Sequence, residues 1–128
     1  MIDPGAMHLP EDAGSYADGL RAILERIPTG CGRSIRVNAG WYPLVVSLNQ
    51  DLAELDPWYE VYQVKEKFGE LRYYCSSTGE KERKLIRAAE MRSATTCETC
   101  GELGRLGIST SRVRTACSAH EGEGFVAA

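Results

Sequence analysis

The chain is 128 residues long, 43% hydrophobic, and carries a formal net charge of −3. This length allows one modest hydrophobic core and leaves no room for two ordinary domains. No apolar run reaches the roughly 18 residues of a membrane span, and the N-terminus lacks the basic start and apolar stretch of a signal peptide. We therefore expect a soluble, cytoplasmic protein in which cysteine thiols stay reduced.

The charge is distributed unevenly along the chain. Residues 1–64 contain four arginines and nine acids, whereas residues 65–114 contain eleven lysines and arginines and seven acids. Most of these charges are expected to lie on a solvated, mixed surface. The basic part could also pair with the acidic part inside the fold, or face an anionic partner.

Hydrophobic periodicity predicts two helices in the first half of the chain. Apolar residues at helical spacing indicate an amphipathic helix over residues 12–27, which Pro28 ends. A second helix is predicted over residues 42–55, with Pro43 in its first turn. Between them, residues 34–37 are expected to form a strand or an extended loop.

Two β-hairpins are predicted in the second half. Residues 59–67 and 71–75 alternate in polarity on either side of a glycine turn, which is typical of a hairpin. A second, smaller hairpin is expected from residues 105–109 and 112–116.

A third helix is predicted over residues 80–93, between the two hairpins. Ser77 and Glu80 have the spacing of a capping box, in which two side chains satisfy the first backbone N–H groups of a helix. This helix leads directly to the cysteine pair that begins at Cys97.

Two pairs of potential metal ligands lie near the C-terminus. Cys97 and Cys100 form a C-x-x-C pair, and Cys117 and His120 form a C-x-x-H pair. Zn²⁺ takes four such donors at tetrahedral corners, and each pair presents two of them from one tight turn. The spacing therefore predicts a zinc site. We expect the zinc to be structural, because four protein ligands leave no open position for a reactive water.

Disulfides are the alternative interpretation of these cysteines, and it is disfavoured. Five cysteines are an odd number, and His120 would have no role in a disulfide framework. The other two, Cys31 and Cys75, have no partner nearby in sequence and are interpreted as small buried or half-buried thiols.

These patterns divide the chain into four consecutive parts. Residues 1–8 show no periodicity and are interpreted as a leader that lies outside the fold. Residues 9–96 are predicted to form an α+β body, and residues 97–120 a zinc finger integrated with it. Residues 121–128 contain two glycines and little bulk, so this tail is expected to fray.

The chain has two resemblances to known proteins, both based on the order of its motifs. A cysteine knuckle, a hairpin and a second ligand pair resemble a treble-clef zinc finger, although the glycine-rich tail leaves a ribbon-like closure open. The run QVKEKFGELRYY, followed by Ala89-Glu90, Ser93, CETCG and the terminal C-x-x-H, resembles a family of small uncharacterised bacterial and phage-type proteins over residues 41–120. That resemblance implies a zinc and a single integrated domain, and it implies no reaction.

Function is predicted to be non-enzymatic binding, with a protein partner favoured. An adaptor or inhibitor would use the acidic first half of the chain and the aromatic residues around the first hairpin, with Trp58, Tyr59 and Phe68 as candidate contacts. Most aromatic residues of so small a protein are nevertheless expected to lie in its core.

Nucleic-acid binding is the alternative, through a cluster of cations on the third helix and the finger. The candidate residues are Lys84, Arg87, Arg105, Arg112 and Arg114. Lys65-Glu66-Lys67 is a further candidate basic loop, although alternating charges that point to solvent and prevent edge pairing are favoured there.

An enzymatic role, as a small metal-dependent hydrolase or nuclease, is the least favoured alternative. With His8 set aside and His120 assigned to the metal, no histidine remains as a base. Glu66, Glu70 and Glu90 are the only acids in the motif-rich region.

Overall fold

The computed structural model describes residues 6–110 and 112–128. Its elements are, in chain order, β1 (Met7–His8), α1 (Ala17–Leu24), β2 (Arg33–Arg36), α2 (Tyr42–Leu55), β3 (Val61–Lys67), β4 (Glu70–Cys75), α3 (Glu80–Ser93), β5 (Arg105–Ser109), β6 (Arg112–Ala116) and β7 (Val126–Ala127). Short 3₁₀ turns at Gly14–Tyr16 and Ala39–Trp41 precede α1 and α2. Among the described residues, no helix is both long and apolar enough to cross a membrane.

The larger sheet has the strand order β1-β2-β3-β4. β2 pairs in parallel with both β1 and β3, and β3 pairs antiparallel with β4. The inward side chains Val64, Leu71 and Tyr73 are buried together with the apolar faces of the three helices. The predicted α+β class is thus confirmed, and all three helices cover the same face of this sheet.

A tight turn joins β3 to β4. Phe68 and Gly69 both have positive φ, 52° and 82°, between the paired residues Lys67 and Glu70. Two left-handed residues between paired strands match a type I′ hairpin, whose twist suits the flanking strands. The Glu66 carboxylate accepts a hydrogen bond of 2.6 Å from the Gly69 N–H, which holds the turn closed.

The smaller sheet, with strand order β6-β5-β7, lies against that turn. The Thr115 hydroxyl on β6 donates to the Gly69 carbonyl at 2.8 Å. A Cβ added to Gly69 would lie 3.0 Å from the Arg114 backbone on β6 and 2.6 Å from Leu106 Cδ1, so glycine favours this close approach of the two sheets.

Four of the predicted segments differ at their ends from the observed ones: residues 12–27, 34–37, 59–67 and 71–75 correspond to Ala17–Leu24, Arg33–Arg36, Val61–Lys67 and Glu70–Cys75. α1 covers Ala17–Leu24 rather than residues 12–27, because Gly14 has a φ of +54° and the backbone after Leu24 tightens into i→i−3 bonds. The apolar pattern was informative nonetheless, since Ile27 remains fully buried. The capping box is also wrong: Gly79 is the N-cap of α3 and no side chain caps it.

Both chain ends take part in the fold more than expected. Residues 1–5 of the predicted leader lie outside the described residues, but Met7 and His8 pair with Arg33 and Ser34. In the tail that was expected to fray, β7 pairs with β5 through Gly107 and Ile108. This pairing depends on Gly107, because a Cβ there would lie 2.4 Å from the Val126 carbonyl oxygen.

The two cysteines outside the predicted zinc site differ in exposure. Cys75 is half-buried, as expected, but Cys31 is exposed. Cys31 lies between Gly30 and Gly32, which both have positive φ, in a turn that projects from the core.

Candidate metal centre

The first ligand pair lies in a short turn that follows α3. The Gly101 N–H donates to the Cys97 carbonyl at 2.9 Å, and the Cys97 N–H donates to the Glu102 carbonyl at 2.8 Å. Gly101 has a φ of +84°, a conformation that side chains disfavour and that lets the chain reverse directly after Cys100. The turn therefore places the Cys97 and Cys100 sulfurs side by side.

The second ligand pair lies in a single helical turn after β6. The N–H groups of His120 and Glu121 donate to the Cys117 carbonyl at 3.0 and 2.9 Å. Arg114 fixes the end of this turn, because its guanidinium donates to the His120 carbonyl at 2.6 Å. The antiparallel β5–β6 hairpin brings this turn back to the first one.

The four predicted ligands are brought together. Their ligand atoms all lie within 4.8 Å of one another, and the group could hold a metal ion. The Cys100 and Cys117 sulfurs are 3.7 Å apart, and His120 Nδ1 lies 3.7 Å from the Cys97 sulfur and 3.2 Å from the Cys117 sulfur. In a tetrahedron with Zn–S bonds of about 2.3 Å and a Zn–N bond of about 2.0 Å, the S···S edge is about 3.8 Å and the S···N edge about 3.5 Å.

The electrostatics of Cys97 favour a thiolate. Burial alone would raise the pKa of Cys97, but backbone N–H groups of Cys117, Cys100 and Thr99 that point at its sulfur outweigh burial and lower the pKa to about 6. A buried thiolate surrounded by N–H donors is the state that binds a metal ion.

The turn that carries Cys97 and Cys100, which we call the knuckle, is attached to the helical body through the 3₁₀ turn before α2. The Gly40 N–H donates to the Glu98 carbonyl at 2.7 Å, and the Trp41 indole Nε1 donates to the Thr96 carbonyl at 2.8 Å. A Cβ on Gly40 would lie 2.1 Å from the Cys97 carbonyl oxygen. Neither Gly40 nor Trp41 was predicted to support the site, because no local pattern relates residues so far apart in sequence.

The cations predicted to bind nucleic acid form two groups. Lys84 and Arg87 are exposed on α3, beside Glu80, and Lys84 pairs with that carboxylate at 3.5 Å. Arg105, Arg112 and Arg114 share one face of the β5–β6 hairpin because of their register. The tail covers part of this face: Arg105 pairs with Glu121 at 2.7 Å and lies over the Phe125 ring.

The aromatic residues predicted to bind a protein do not form one surface. Tyr59 is only 2% exposed, and its hydroxyl bonds to Asn49 and Tyr73 in the core, so its assignment to a surface is wrong. Trp58 is 89% and Phe68 is 68% exposed. They lie at opposite ends of β3, which at about 3.3 Å per residue places them roughly 20 Å apart.

The acids considered for catalysis have structural partners. Glu66 accepts from Gly69 N–H in the hairpin turn, Glu90 accepts from Tyr73 N–H at 3.3 Å, and Glu70 lies 3.8 Å from the Arg72 guanidinium. These contacts give each of the three carboxylates a structural role in the fold.

Comparison of the chain with protein-family models, with curated proteins and with solved structures finds no match.

Proposed function

We propose that this chain is a non-enzymatic, zinc-stabilised binding protein that docks another protein through Trp58. The observation that supports this most is the 89% exposure of Trp58, the highest among the exposed large apolar side chains of the described residues. Aromatic residues in contact with water are costly, and they carry much of the binding energy when a partner buries them.

The metal in this proposal is zinc in a structural role. Three sulfurs and one imidazole nitrogen are the donors that structural zinc sites use. The 3.7 Å separation of the Cys100 and Cys117 sulfurs and the 3.7 and 3.2 Å separations of His120 Nδ1 from the Cys97 and Cys117 sulfurs are close to the edges of a zinc tetrahedron. A set of four protein ligands supplies no open position for an activated water.

The finger is better described as ribbon-like than as a full treble clef. After His120 the chain continues as β7 alongside β5, where a treble clef would continue as a helix. The second ligand pair still lies in one helical turn, so the two finger types share this part.

Hydrogen bonds hold the backbone of the loop that carries Trp58. Arg26 donates to the carbonyl oxygens on both sides of Trp58, those of Pro57 at 2.9 Å and Tyr59 at 3.0 Å. The Trp58 N–H also donates to Asp56 Oδ1 at 3.2 Å. Because the backbone is already ordered, binding through this indole costs little conformational entropy.

A hollow of about 460 Å³ adjoins Trp58, between the end of α1 and the loop after α2. Its lining combines the apolar residues Pro28 and Pro57 with charges of both signs, Glu25 and Glu60 as carboxylates and Arg26 and Arg33 as guanidinium groups. A partner that fits here would present an apolar pocket for the indole and polar groups at its rim.

Affinity capture from a lysate of the cell in which the protein naturally occurs tests this proposal, with the full zinc-loaded chain as bait. We expect a protein that the wild type retains and that Trp58→Ala loses by tenfold or more. Phe68→Ala, which removes the other strongly exposed ring at the far end of β3, is the matched control and should retain it. Equal capture by Trp58→Ala at unchanged zinc content would contradict the proposal.

A further inference from the structure

The open face of the larger sheet carries a row of positive charges. Register pairs Arg36 on β2 with Lys65 on β3, and Lys65 with Arg72 on β4. The preceding row, Ile35, Val64 and Tyr73, points into the core, so this row points away from it. Lys67, two residues after Lys65, shares the same outward face.

Such a row costs stability unless something outside the chain compensates it. Like charges directly opposite each other on neighbouring strands repel. Within the part of the chain that the structure describes, the one ion pair recorded for these four cations is the 3.8 Å contact of Arg72 with Glu70. The face thus bears four cations against one carboxylate, although the whole chain has a net charge of −3.

Prevention of edge pairing does not explain these charges. Lys65-Glu66-Lys67 was interpreted as a charged segment that suppresses pairing at a sheet edge, but β3 lies between β2 and β4 and is not an edge strand. Glu66 points to the other side and closes the hairpin turn. The two lysines are therefore left on the open face without that carboxylate between them.

Two exposed rings accompany the cations. Tyr74, 42% exposed, lies opposite Gln63 on the same face, and the Lys65 ammonium is 5.9 Å from its ring centre. At the end of the hairpin, Phe68 is 68% exposed with the Lys67 ammonium 5.8 Å from its ring. Each ring thus has a cation beside it, a pairing that can hold a stacked base next to its phosphate.

Two features of Phe68 in the β3–β4 turn cost stability. Its φ of 52° is a left-handed conformation that is costly for a residue with a bulky side chain, and its ring is left in water. Asparagine or glycine would suit this turn position better. A residue that costs stability in two ways is a candidate for function.

From these observations we propose that the open face of the β1–β4 sheet binds single-stranded nucleic acid. Arg36, Lys65, Lys67 and Arg72 contact its phosphates, and Tyr74 and Phe68 stack on its bases. Flat sheets that combine cations with exposed rings bind unpaired strands in this way, because the unpaired bases can turn onto the rings. This surface is separate from the Trp58 loop and goes beyond the protein-binding role proposed above.

Fluorescence anisotropy tests the assignment, with the zinc-loaded full chain and labelled 12-nucleotide oligo(U) RNA and oligo(dT) DNA between 50 and 200 mM salt. The two strands distinguish RNA from DNA, and binding of either supports the proposal. We expect Lys65→Gln with Arg72→Gln to weaken binding at least tenfold. The slope of log K against log salt should fall by about 1.4 units, since each phosphate contact to a single strand contributes about 0.7.

A matched control separates this surface from general charge effects. Lys84→Gln with Arg87→Gln removes the same charge from α3, and it should change affinity less than twofold. Tyr74→Leu should weaken binding while leaving the salt slope unchanged, because it removes stacking and no charge. The sheet variants should fold, since they remove repulsion between like charges, and thermal melting will verify this.

Three results would overturn the proposal. The first is the absence of binding to either strand at 100 µM protein and 50 mM salt, conditions under which even weak binding would be detected. The second is an equal loss of affinity in the two double variants. The third is tighter binding of an oligo-glutamate peptide than of either nucleic acid to this face, which would make it a site for acidic protein segments. None of these results affects the Trp58 proposal, and Trp58→Ala should bind the oligonucleotides like the wild type.

Discussion

The indole Nε1 of Trp41 donates a hydrogen bond of 2.8 Å to the carbonyl oxygen of Thr96, the residue directly before Cys97, the first of the four candidate ligands. Trp41 is fully buried in the main core, so this bond joins the core to the knuckle. Loss of order at the candidate metal centre should therefore destabilise the α+β body. It should also change the environment of the Trp41 indole.

Removal of the metal with a chelator should lower the melting temperature of the whole chain in a single transition. Ligand assembly and folding are coupled, and a loss of several kcal/mol in a chain of this size corresponds to a decrease of more than about 10 °C. Differential scanning calorimetry with and without chelator measures this. In a Trp58→Phe variant, Trp41 is the only tryptophan, and its selectively excited emission should move to longer wavelength at the same midpoint. Two transitions, with the body indifferent to chelator, would contradict this coupling.

Gly40→Ala should destabilise the protein by about 1–3 kcal/mol, the usual range for overpacking, and weaken its hold on the metal. The added Cβ would lie 2.1 Å from the Cys97 carbonyl oxygen, which is backbone and cannot yield without moving the knuckle. Chemical denaturation measures the free energy of unfolding, and a competing chelator measures metal affinity. Gly79→Ala is the matched control, because its Cβ would meet only the flexible carboxylate of Glu82. Equal effects of both substitutions would show that the loss of stability comes from replacing a glycine as such. The close packing of Gly40 against Cys97 would then not be its cause.

Phe68→Asn should stabilise the protein by about 1 kcal/mol, which raises the melting temperature by about 4 °C. Asparagine tolerates the left-handed backbone that the type I′ turn imposes on this residue at φ 52°. Phe68→Ala should give no comparable gain, since alanine removes the ring but keeps the backbone cost. If Phe68→Asn gains stability and loses oligonucleotide affinity, the strained ring serves binding; a loss of stability would show that the ring contributes to the fold instead.

The buried Tyr59 hydroxyl should make stability fall in alkaline solution. Burial raises the pKa of Tyr59 to about 12, above the value of about 10 expected in the unfolded chain. The folded state thus favours the neutral phenol, so this contribution is complete below pH 10 and is lost as the pH rises toward 12. Thermal melting as a function of pH measures the loss.

Tyr59→Phe should reduce that alkaline loss and cost about 1–3 kcal/mol at neutral pH, because it leaves the Asn49 side chain without its partner in the core. Tyr74→Phe, at an exposed position, is the control for removal of a phenol and should change neither quantity. An unchanged alkaline loss in Tyr59→Phe would assign the effect to other groups.

Sequence periodicity predicted the elements whose signals are local. The bounds of α2, α3 and the β5–β6 hairpin agree with the prediction, because hydrophobic periodicity within each segment is a local signal. In α2, Pro43 in the first turn and Pro57 after the end mark the bounds as well. The close approach of the four ligands was predicted equally well, since the ligand spacing is itself a local signal.

What the sequence did not reveal depends on contacts between distant segments. β7 exists because Gly107 leaves room for the tail, and the knuckle has its place because Gly40 leaves room for Cys97. The cationic row was missed for a related reason. Lys65 and Arg72 could be aligned from hairpin alternation, but Arg36 joins them through a parallel β2–β3 register that no short-range pattern encodes. Tyr59 was misassigned because exposed and buried aromatic residues look alike in a short segment.

Zinc K-edge X-ray absorption on the purified chain tests the central claim most directly. We expect one zinc per chain, coordinated by three sulfurs at about 2.3 Å and one nitrogen at about 2.0 Å. We further expect that Cys97→Ser loses this coordination and that Cys31→Ser, at the exposed cysteine outside the site, keeps it. A protein purified without zinc, or a coordination in Cys97→Ser identical to that of the wild type, would contradict the assignment of Cys97, Cys100, Cys117 and His120 as the metal centre.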